Sequence, residues 1–358
     1  MSPTATNASS LVRIAVALLI ASTVVMWLPA LNTPFWGDDY VFLHAAQASN
    51  ASGATWWSDF WPASPPRFWR PLSQEGYWRL VAGVLHADAY WSHVLNLVLH
   101  VLAAGSVALL GLSIARACRW PHAGGIAGLS GALYGALGMH LLPVHWVAAA
   151  NNSMLVIFTA LALSAWVAAA KATPVRRALL LTSLPLLLAA GLLSKESAAL
   201  TPLLMAVVWL FVGNTRASKA EIATWLICVA TVLVWLVLRQ RFTANTDASY
   251  EFRLGGNLIR NAASLLAWLL NVPREALRMA LTGESMRGFG WIAATSLPIL
   301  LAWIIALRSG RSLLTRRQWF AVPVFCVLAY APYFFFAWNS YEYYAAIAAI
   351  LLVIVMAR

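Results

Sequence analysis

The sequence predicts an all-α membrane protein whose chain crosses the bilayer many times. Hydrophobic residues make up 61% of its 358 residues and charged residues only 10%, and the mean hydropathy is +0.74. Apolar runs of roughly 16 to 22 residues, the length of a transmembrane helix, recur along the chain. Basic residues gather in alternate short loops between these runs, as the positive-inside rule describes. These observations exclude a soluble domain and favour a single transmembrane domain over residues 1–358.

The apolar runs predict ten spans, with both termini in the cytoplasm. The first run is longer than a signal-peptide core and carries Pro29 where a cleavage site needs small residues, so we expect it to remain as an uncleaved span. The spans are predicted at residues 11–30, 91–114, 123–142, 152–170, 177–194, 197–213, 222–238, 291–308, 319–337 and 343–357.

Two predicted outer segments are long, at residues 31–90 and 239–290. In this topology every acidic residue except Glu221 falls on the outer side. Short inner loops leave no room for a site, so we expect function on the outer side, which is the periplasmic face of a bacterial inner membrane. Within the long segments, Gln74–His86 and Asn257–Met279 are predicted to form helices at the membrane surface, the second one interfacial or re-entrant. The first has an apolar side formed by Trp78, Val81, Val84 and Leu85.

The net charge of +12 does not indicate nucleic-acid binding. The 24 lysines and arginines are scattered among loops between apolar runs rather than gathered on one face, so they act as topology signals. The three cysteines show neither disulfide nor metal-site spacing.

The most informative polar stretch is Asn32–Gln47, which opens the first long outer segment. It contains two adjacent carboxylates, Asp38 and Asp39, and such a pair is costly near a bilayer and usually retained for a task. Pro34 and Gly37 are expected to fix a turn that presents the carboxylates at a constant depth. The alternative is an ordinary interfacial loop, where aspartates are unremarkable.

Two further motifs lie close behind. Arg70 follows an Arg-Phe-Trp run and precedes Pro71, so its guanidinium is a candidate two-pronged grip for a phosphate, or else a side chain that reaches the headgroups. His93, Asn96 and His100 share one face of a predicted span. A metal site is possible there, but hydrogen bonding between helices fits better because no carboxylate shares the face.

The later polar residues also converge on the outer side. His140 and His145 flank Pro143 at an outer turn. Lys195 and Glu196 lie at an outer hairpin, as either a neutralised structural pair or a phosphate-binding lysine with its partner. Tyr343 belongs to the last outer turn, where tyrosines line a ligand groove or form an aromatic belt.

Taken together, these motifs resemble those of the GT-C glycosyltransferases, which take sugars from polyprenyl phosphates. The closer likeness is to transmembrane O-mannosyltransferases that carry tetratricopeptide repeats and to their bacterial relatives, with a more distant likeness to lipid aminoarabinose transferases and protein O-mannosyltransferases. The sequence contains no such repeats, and Asn151 and Asn152 stand where a basic residue is expected after His145. The pieces that match, in the family's order, are Asp38–Asp39, Arg70–Leu72, His93–His100, Leu142–His145, Leu193–Glu196 and Glu342–Tyr344.

The resemblance implies a GT-C-like helical bundle that transfers a sugar, with inversion, on the periplasmic face. Asp38 is implied as the general base, and Asp39 as a residue that orients the acceptor or a metal ion, Mg²⁺ or Mn²⁺, if one takes part. The implied donor is a polyprenyl-phosphate sugar held within membrane lipids, and the acceptor is a hydroxyl of a glycan, lipid or protein. The residues expected to bind substrate or phosphate are Arg70, Lys195, Glu196, His93, His145, Arg253, Arg260 and Tyr343, with Arg239 and Arg241 as further candidates.

Two other classes of protein remain open. A flippase or transporter of lipid-linked sugars would also carry outward acids and basic phosphate sites, but it should show inverted repeats or charges deep within spans, and the sequence shows neither. A non-catalytic membrane subunit of a glycan-assembly complex would not depend on Asp38.

Overall fold

The structure is a computed structural model, and it describes residues 17, 21, 23–62, 65–213, 217–243, 250–283, 286–310, 314–337 and 340–358. These residues fold into helices without a named strand, as predicted. The helices are α1 (Thr23–Asn32), α2 (Asp38–Ala51), α3 (Tyr77–Gly83), α4 (Ala89–Ala117), α5 (Ala123–Gly135), α6 (Leu141–His145), α7 (Ala150–Ala169), α8 (Pro174–Leu192), α9 (Thr201–Val212), α10 (Lys219–Phe242), α11 (Gly256–Leu269), α12 (Arg274–Leu281), α13 (Arg287–Gly310), α14 (Arg316–Phe334) and α15 (Ala346–Met356).

By length and composition, four helices of the described chain are able to cross a membrane. They are α4, α7 with its preceding turn, α8 and α10, and a fifth span results if α5 and the segment Gly138–His145, which meet at a bend of 57°, count as one. A polytopic helical membrane protein is therefore supported, with fewer qualifying helices than the ten spans predicted. The predicted spans at 197–213 and 343–357 coincide with shorter apolar helices, and most of 11–22 lies outside the described residues.

Local sequence signals determine where several helices begin. Asp88 caps α4 by accepting a hydrogen bond from the Trp91 backbone N–H at 3.0 Å. Ser218 and Thr315 begin α10 and α14 with capping boxes, in which side chain and backbone exchange hydrogen bonds. Pro174 opens α8, where its missing N–H costs nothing.

The centre of the bundle is formed by α4 and α7, against which α5 and α8 pack. In α7, 72% of the apolar window is buried, compared with 28% in both α8 and α10. The outer faces of α8 and α10 are therefore among the surfaces available to lipid. By contrast, α15 is buried almost throughout, because it packs against α14, α5 and α7.

The helix predicted at Gln74–His86, in the first predicted outer segment, is present with different bounds. A π-helical turn over Pro71–Gly76 continues into α3, and Trp78 and Val81 are buried as expected. Val84, predicted to share the apolar side, is instead 69% exposed, because α3 ends at Gly83. The predicted Asn257–Met279 helix is broken into α11 and α12 at Asn271, whose φ is 61°, and the Pro273 that follows favours this break.

Candidate functional site

The site is built where two motifs, far apart in sequence, lie against each other. The backbone N–H of Leu72 donates to the carbonyl of Leu193 at 3.1 Å, and the Ser73 hydroxyl donates to the carbonyl of Ser194. The stretch after Arg70 therefore packs along the hairpin that carries Lys195.

Arg70 and Glu196 form a two-pronged ion pair at this junction. Arg70 Nε lies 3.0 and 3.1 Å from the two carboxylate oxygens of Glu196, and Nη2 lies 2.7 Å from Oε2. The side chains are only 12% and 24% exposed, and the guanidinium also lies 4.2 Å from the centre of the Phe68 ring. A pair in this geometry is stronger and more rigid than an ordinary surface salt bridge.

Lys195 is held beside this pair without an acidic partner of its own among the described residues. Its ammonium donates to Asn152 Oδ1 on α7, and it lies 4.9 Å from the Tyr343 ring centre and 5.4 Å from that of Tyr344. Burial holds the pKa of Lys195 well below its usual range, and nearby Arg70 lowers it further while Glu196 opposes the shift. Its charge is therefore poorly compensated by the protein, and a bound anion would compensate it.

The carboxylate pair sits at the first turn of α2, on the tight turn that the sequence predicts. Gly37 has φ of 59°, a conformation that favours glycine. The Trp36 indole donates to the carbonyl of His145 at 3.0 Å, and its ring lies 5.3 Å from that of Trp146. The turn is thus fixed to the segment that joins α6 to α7.

Asp39 helps to hold this turn against the segment that joins α6 to α7, and its side chain is fully buried. Its Oδ1 accepts from the Ala148 N–H at 2.7 Å and its Oδ2 from the Trp36 N–H at 3.1 Å. Burial raises the pKa of Asp39 to about 6, although the same backbone donors oppose the shift. Asp38, next to it, is exposed.

Asp38 and the cations meet in one cavity of about 470 Å³. Six of the residues singled out in the sequence as site candidates line it, namely Asp38, Arg70, Lys195, Glu196, Arg239 and Tyr343. A carboxylate, a lysine and a paired arginine thus face the same space, which is large enough for a small polar ligand.

The other candidate residues lie outside the lining of this cavity. His93 is buried, with Nδ1 3.4 Å from the Val144 carbonyl, and His145 Nδ1 lies 3.3 Å from the Thr33 hydroxyl. Arg253 pairs with Glu251 at 3.0 Å on the surface, and Arg260 is an exposed residue that donates to the Ala337 carbonyl.

The neighbours of His93 make the same kind of contact between helices. Asn96 Nδ2 donates to the carbonyls of Pro143 and Trp146, both at 3.2 Å, and His100 Nε2 lies 3.0 Å from the Gly135 carbonyl. The hydrogen-bonding interpretation of this face, rather than a metal site, agrees with these contacts.

Several cavity residues were not assigned from the sequence. Asn152 stands where a basic residue is expected from the family resemblance. In the structure its side-chain oxygen accepts the hydrogen bond that positions Lys195. The Tyr333 hydroxyl is hydrogen-bonded to the Ser197 hydroxyl, and its ring stacks on that of Tyr344 with ring centres 4.1 Å apart. In the sequence, Tyr333 is simply a tyrosine near one end of an apolar run. The aromatic belt at a membrane interface explains such a residue equally well.

The carboxylate pair does not present two ligands to one metal ion in this conformation. Both oxygens of Asp39 already accept backbone N–H groups, so Asp38 alone faces the cavity. Within the described parts of the chain, no group of three or more His, Cys, Asp or Glu side chains is placed to hold a metal. A Mg²⁺ or Mn²⁺ ion would therefore need further ligands from a substrate.

Comparison with protein-family models, with characterised proteins and with solved structures finds no match to this chain.

Proposed function

We propose that this protein is an integral-membrane glycosyltransferase that moves a sugar from a polyprenyl-phosphate donor to a hydroxyl acceptor. The observation that carries the proposal is the shared cavity, in which an exposed carboxylate, Asp38, faces the same space as Lys195 and the Arg70–Glu196 pair. A base and fixed cations in one cavity are what an acceptor hydroxyl and a phosphate leaving group require. The GT-C-like motifs support the same chemistry.

In the proposed reaction Asp38 takes the proton from the acceptor hydroxyl as its oxygen attacks the anomeric carbon. The bond between that carbon and the phosphate oxygen breaks, and the polyprenyl phosphate leaves with the electron pair. The new glycosidic bond forms with inverted configuration. No covalent link to the protein is needed, so one base is sufficient.

Negative charge grows on the leaving phosphate, and Lys195 is the cation best suited to receive it. It is buried, fixed by Asn152 and without an acidic partner among the described residues. The charge of Arg70 is already compensated by Glu196. Arg70 therefore holds the hairpin that carries Lys195 in place and offers only one edge of its guanidinium to the phosphate. Removal of a preorganised donor of this kind typically costs about 3 kcal/mol of transition-state stabilisation, or roughly a hundredfold in rate.

The setting we propose is the bacterial inner membrane. The chain would cross it an even number of times, with both termini in the cytoplasm and the cavity on the periplasmic side, where a glycan, lipid or protein acceptor is reached. The distribution of basic residues supports this orientation.

The decisive test is sugar transfer by purified wild-type and Asp38→Asn protein in lipid nanodiscs. Asparagine keeps the size of the side chain and lacks the basic electron pair, so Asp38→Asn should abolish transfer while donor binding stays intact. Asp88→Asn is the matched control, because Asp88 caps α4 away from the cavity lining. Transfer by Asp38→Asn at the wild-type rate would sink the proposal.

A chelator resolves the role of metal in the same assay. If Mg²⁺ or Mn²⁺ takes part, EDTA should stop transfer and added metal should restore it. If transfer is unaffected by EDTA, Asp38 acts on the acceptor without a metal ion.

A further inference from the structure

The end of the bundle opposite the cavity joins three helices. Asn152, which lines the cavity, lies in the first turn of α7, and the 20 residues of that helix carry the chain about 30 Å away. Beyond the far end of α7, the Lys171 ammonium donates to the Ala117 carbonyl of α4 at 2.7 Å. Gln318, in the first turn of α14, donates from Nε2 to Cys118 Sγ at 3.5 Å. The ends of α4 and α7 and the start of α14 therefore meet here.

Three cations converge at this junction, and we call them the cation cluster: Lys171, Arg317 and Arg358. Burial raises the pKa of the Cys118 thiol to about 11, and the charges of all three cations are among the influences that oppose this rise. They therefore lie within electrostatic reach of one sulfur atom. The guanidinium carbon of Arg358 also lies 5.3 Å from the centre of the ring of Trp120, two residues after Cys118.

Within the described chain, no acidic side chain pairs with the cation cluster. The Nε groups of Arg317 and Arg358 are buried without a hydrogen-bond acceptor, and the Lys171 ammonium is bonded to a carbonyl. Glu221, the acidic residue of the predicted inner loops, pairs instead with Arg177 at 3.2 Å. Carbonyl groups at nearby helix ends carry partial charges, which offset only a fraction of three full positive charges.

The outer surface of α14, which starts at the cluster, is apolar. Phe320 and Val327 are 63% and 51% exposed, and Pro323 between them is exposed as well. Their spacing of three and four residues places them on one face of the helix, and none of them lines the cavity. Exposed Arg316 lies one turn before Phe320 on this face. A stripe that begins at a cation and continues along apolar side chains is typical of a helix that faces lipid.

We propose that the cation cluster binds the phosphate of an anionic phospholipid, whose acyl chains lie along the stripe from Phe320 to Val327. The guanidinium groups of Arg317 and Arg358 have unused N–H donors, and phosphate oxygens accept such donors in charge-assisted hydrogen bonds. The uncompensated positive charge selects an anionic headgroup over a zwitterionic one, and the apolar stripe selects a lipid over free phosphate. The site lies far from the cavity and does not depend on the proposed function.

Lipid binding by the full-length protein in a non-ionic detergent tests this site. Native mass spectrometry measures the affinities for phosphatidylglycerol, for phosphatidylcholine and for glycerophosphoglycerol, which is the headgroup of phosphatidylglycerol without its chains. Wild type should bind phosphatidylglycerol about tenfold more tightly than phosphatidylcholine. Lys171→Gln, Arg317→Gln and Arg358→Gln should each weaken phosphatidylglycerol binding roughly fivefold and affect phosphatidylcholine less.

Arg176→Gln is the matched control. Arg176 is an exposed arginine in the first turn of α8, at the same end of the bundle, and it is not one of the cations that act on Cys118. Its replacement should leave the affinity unchanged. Equal losses in Arg176→Gln and Arg317→Gln would overturn the site in favour of a general attraction to this positive end. Unchanged binding in all three cluster variants would overturn it as well.

Phe320→Asn tests the path of the acyl chains. It should weaken phosphatidylglycerol binding roughly tenfold, because apolar contact is lost, and leave glycerophosphoglycerol unchanged. Leu179→Asn, which changes an exposed leucine of α8, should have little effect on either ligand. Equal affinity of wild type for phosphatidylglycerol and glycerophosphoglycerol would overturn the lipid and indicate a site for free phosphate.

The unfolding temperature of each variant separates lost binding from lost structure. The Arg317 guanidinium packs so closely on Gly213, which ends α9, that a Cβ at Gly213 would overlap it, so Arg317→Gln also removes packing. Lys171 is exposed, and Lys171→Gln carries the test if Arg317→Gln does not fold. Arg317→Lys keeps the charge and should retain most of the affinity. Full affinity in Lys171→Gln with lost affinity in Arg317→Lys would contradict the proposal.

Discussion

Asp38 and Asp39 are adjacent in sequence but occupy opposite surroundings. Asp39 is fully buried, and its two oxygens accept N–H groups from Trp36 and Ala148. Asp38 is exposed at the wall of the cavity. One carboxylate thus holds the turn together while its neighbour is available for chemistry, and the two should respond differently to the same substitution.

We predict that Asp39→Asn lowers stability more than Asp38→Asn does. An asparagine has one acceptor oxygen in place of two, so its amide group would face a backbone N–H and leave a buried donor unpaired, at a cost of about 1–3 kcal/mol. Thermal unfolding in one detergent, followed by the fluorescence of a thiol-reactive dye, measures the difference. Equal unfolding temperatures for the two variants would show that Asp39 does not hold the turn.

The stability difference should also depend on pH. The pKa of Asp39 rises from 3.8 to about 6 on folding, so the folded state binds its proton more tightly than the unfolded state does. Its contribution is complete below about pH 4 and is lost as the pH rises through about 6. The difference in unfolding free energy between wild type and Asp39→Asn should therefore become smaller as the pH rises from about 4 to about 6. A difference that grows over this range would contradict the raised pKa.

Sequence patterns located the polar motifs well, but they did not determine which members share a cavity. Asp38 and Lys195 could be singled out because charge is rare in an apolar chain and each instance is informative. His145 and Arg260 carried similar signals and lie outside the cavity lining, because their partners are backbone carbonyls or neighbouring side chains that no local pattern specifies. Tyr333 and Asn152 were not assigned because a site residue within an apolar run looks like a packing residue.

The number of spans illustrates the same limit. Hydropathy alone predicts that residues 343–357 cross the membrane, yet α15 has only 11 residues and is buried by other helices. A run that is apolar because protein surrounds it has the same composition as one that faces lipid. Which case applies depends on long-range packing.

We expect Arg70 and Glu196 to be strongly coupled. Removing one partner leaves the other charge buried and unpaired, so Arg70→Ala and Glu196→Ala should each cost about 3 kcal/mol or more of stability. The double variant should cost less than their sum, which a double-mutant cycle of unfolding free energies measures. Arg70→Lys should retain only part of the stability that Arg70→Ala loses, because an ammonium cannot form the two-pronged contact. Additive losses would mean that the pair does not form in solution.

The predicted topology can be tested with single cysteines in a variant that lacks the half-buried Cys118. Ala51→Cys lies at an exposed position of the first predicted outer segment, and Ala217→Cys lies in a predicted inner loop. A membrane-impermeant thiol reagent should label Ala51→Cys in cells with a permeable outer membrane, and label Ala217→Cys only after lysis. Labelling of Ala217→Cys in intact cells and of Ala51→Cys only after lysis would place the cavity on the cytoplasmic side.

The last prediction concerns the charge of Lys195. Since burial holds its pKa well below the usual range, the ammonium should lose its proton at a pH where exposed lysines, with pKa values of about 10.4, remain charged. Affinity for a sugar phosphodiester, whose own charge is constant in this range, should therefore fall as the pH rises.

Two variants separate this charge effect from a loss of structure. Lys195→Arg keeps the cation at all accessible pH values, so its affinity should be independent of pH even if it is lower overall. Asn152→Ala removes the oxygen that positions the ammonium and should weaken binding without changing the unfolding temperature as much as Arg70→Ala does. A wild-type affinity that is flat with pH, or a Lys195→Arg variant that titrates in the same way as wild type, would place the ligand's anionic group away from Lys195.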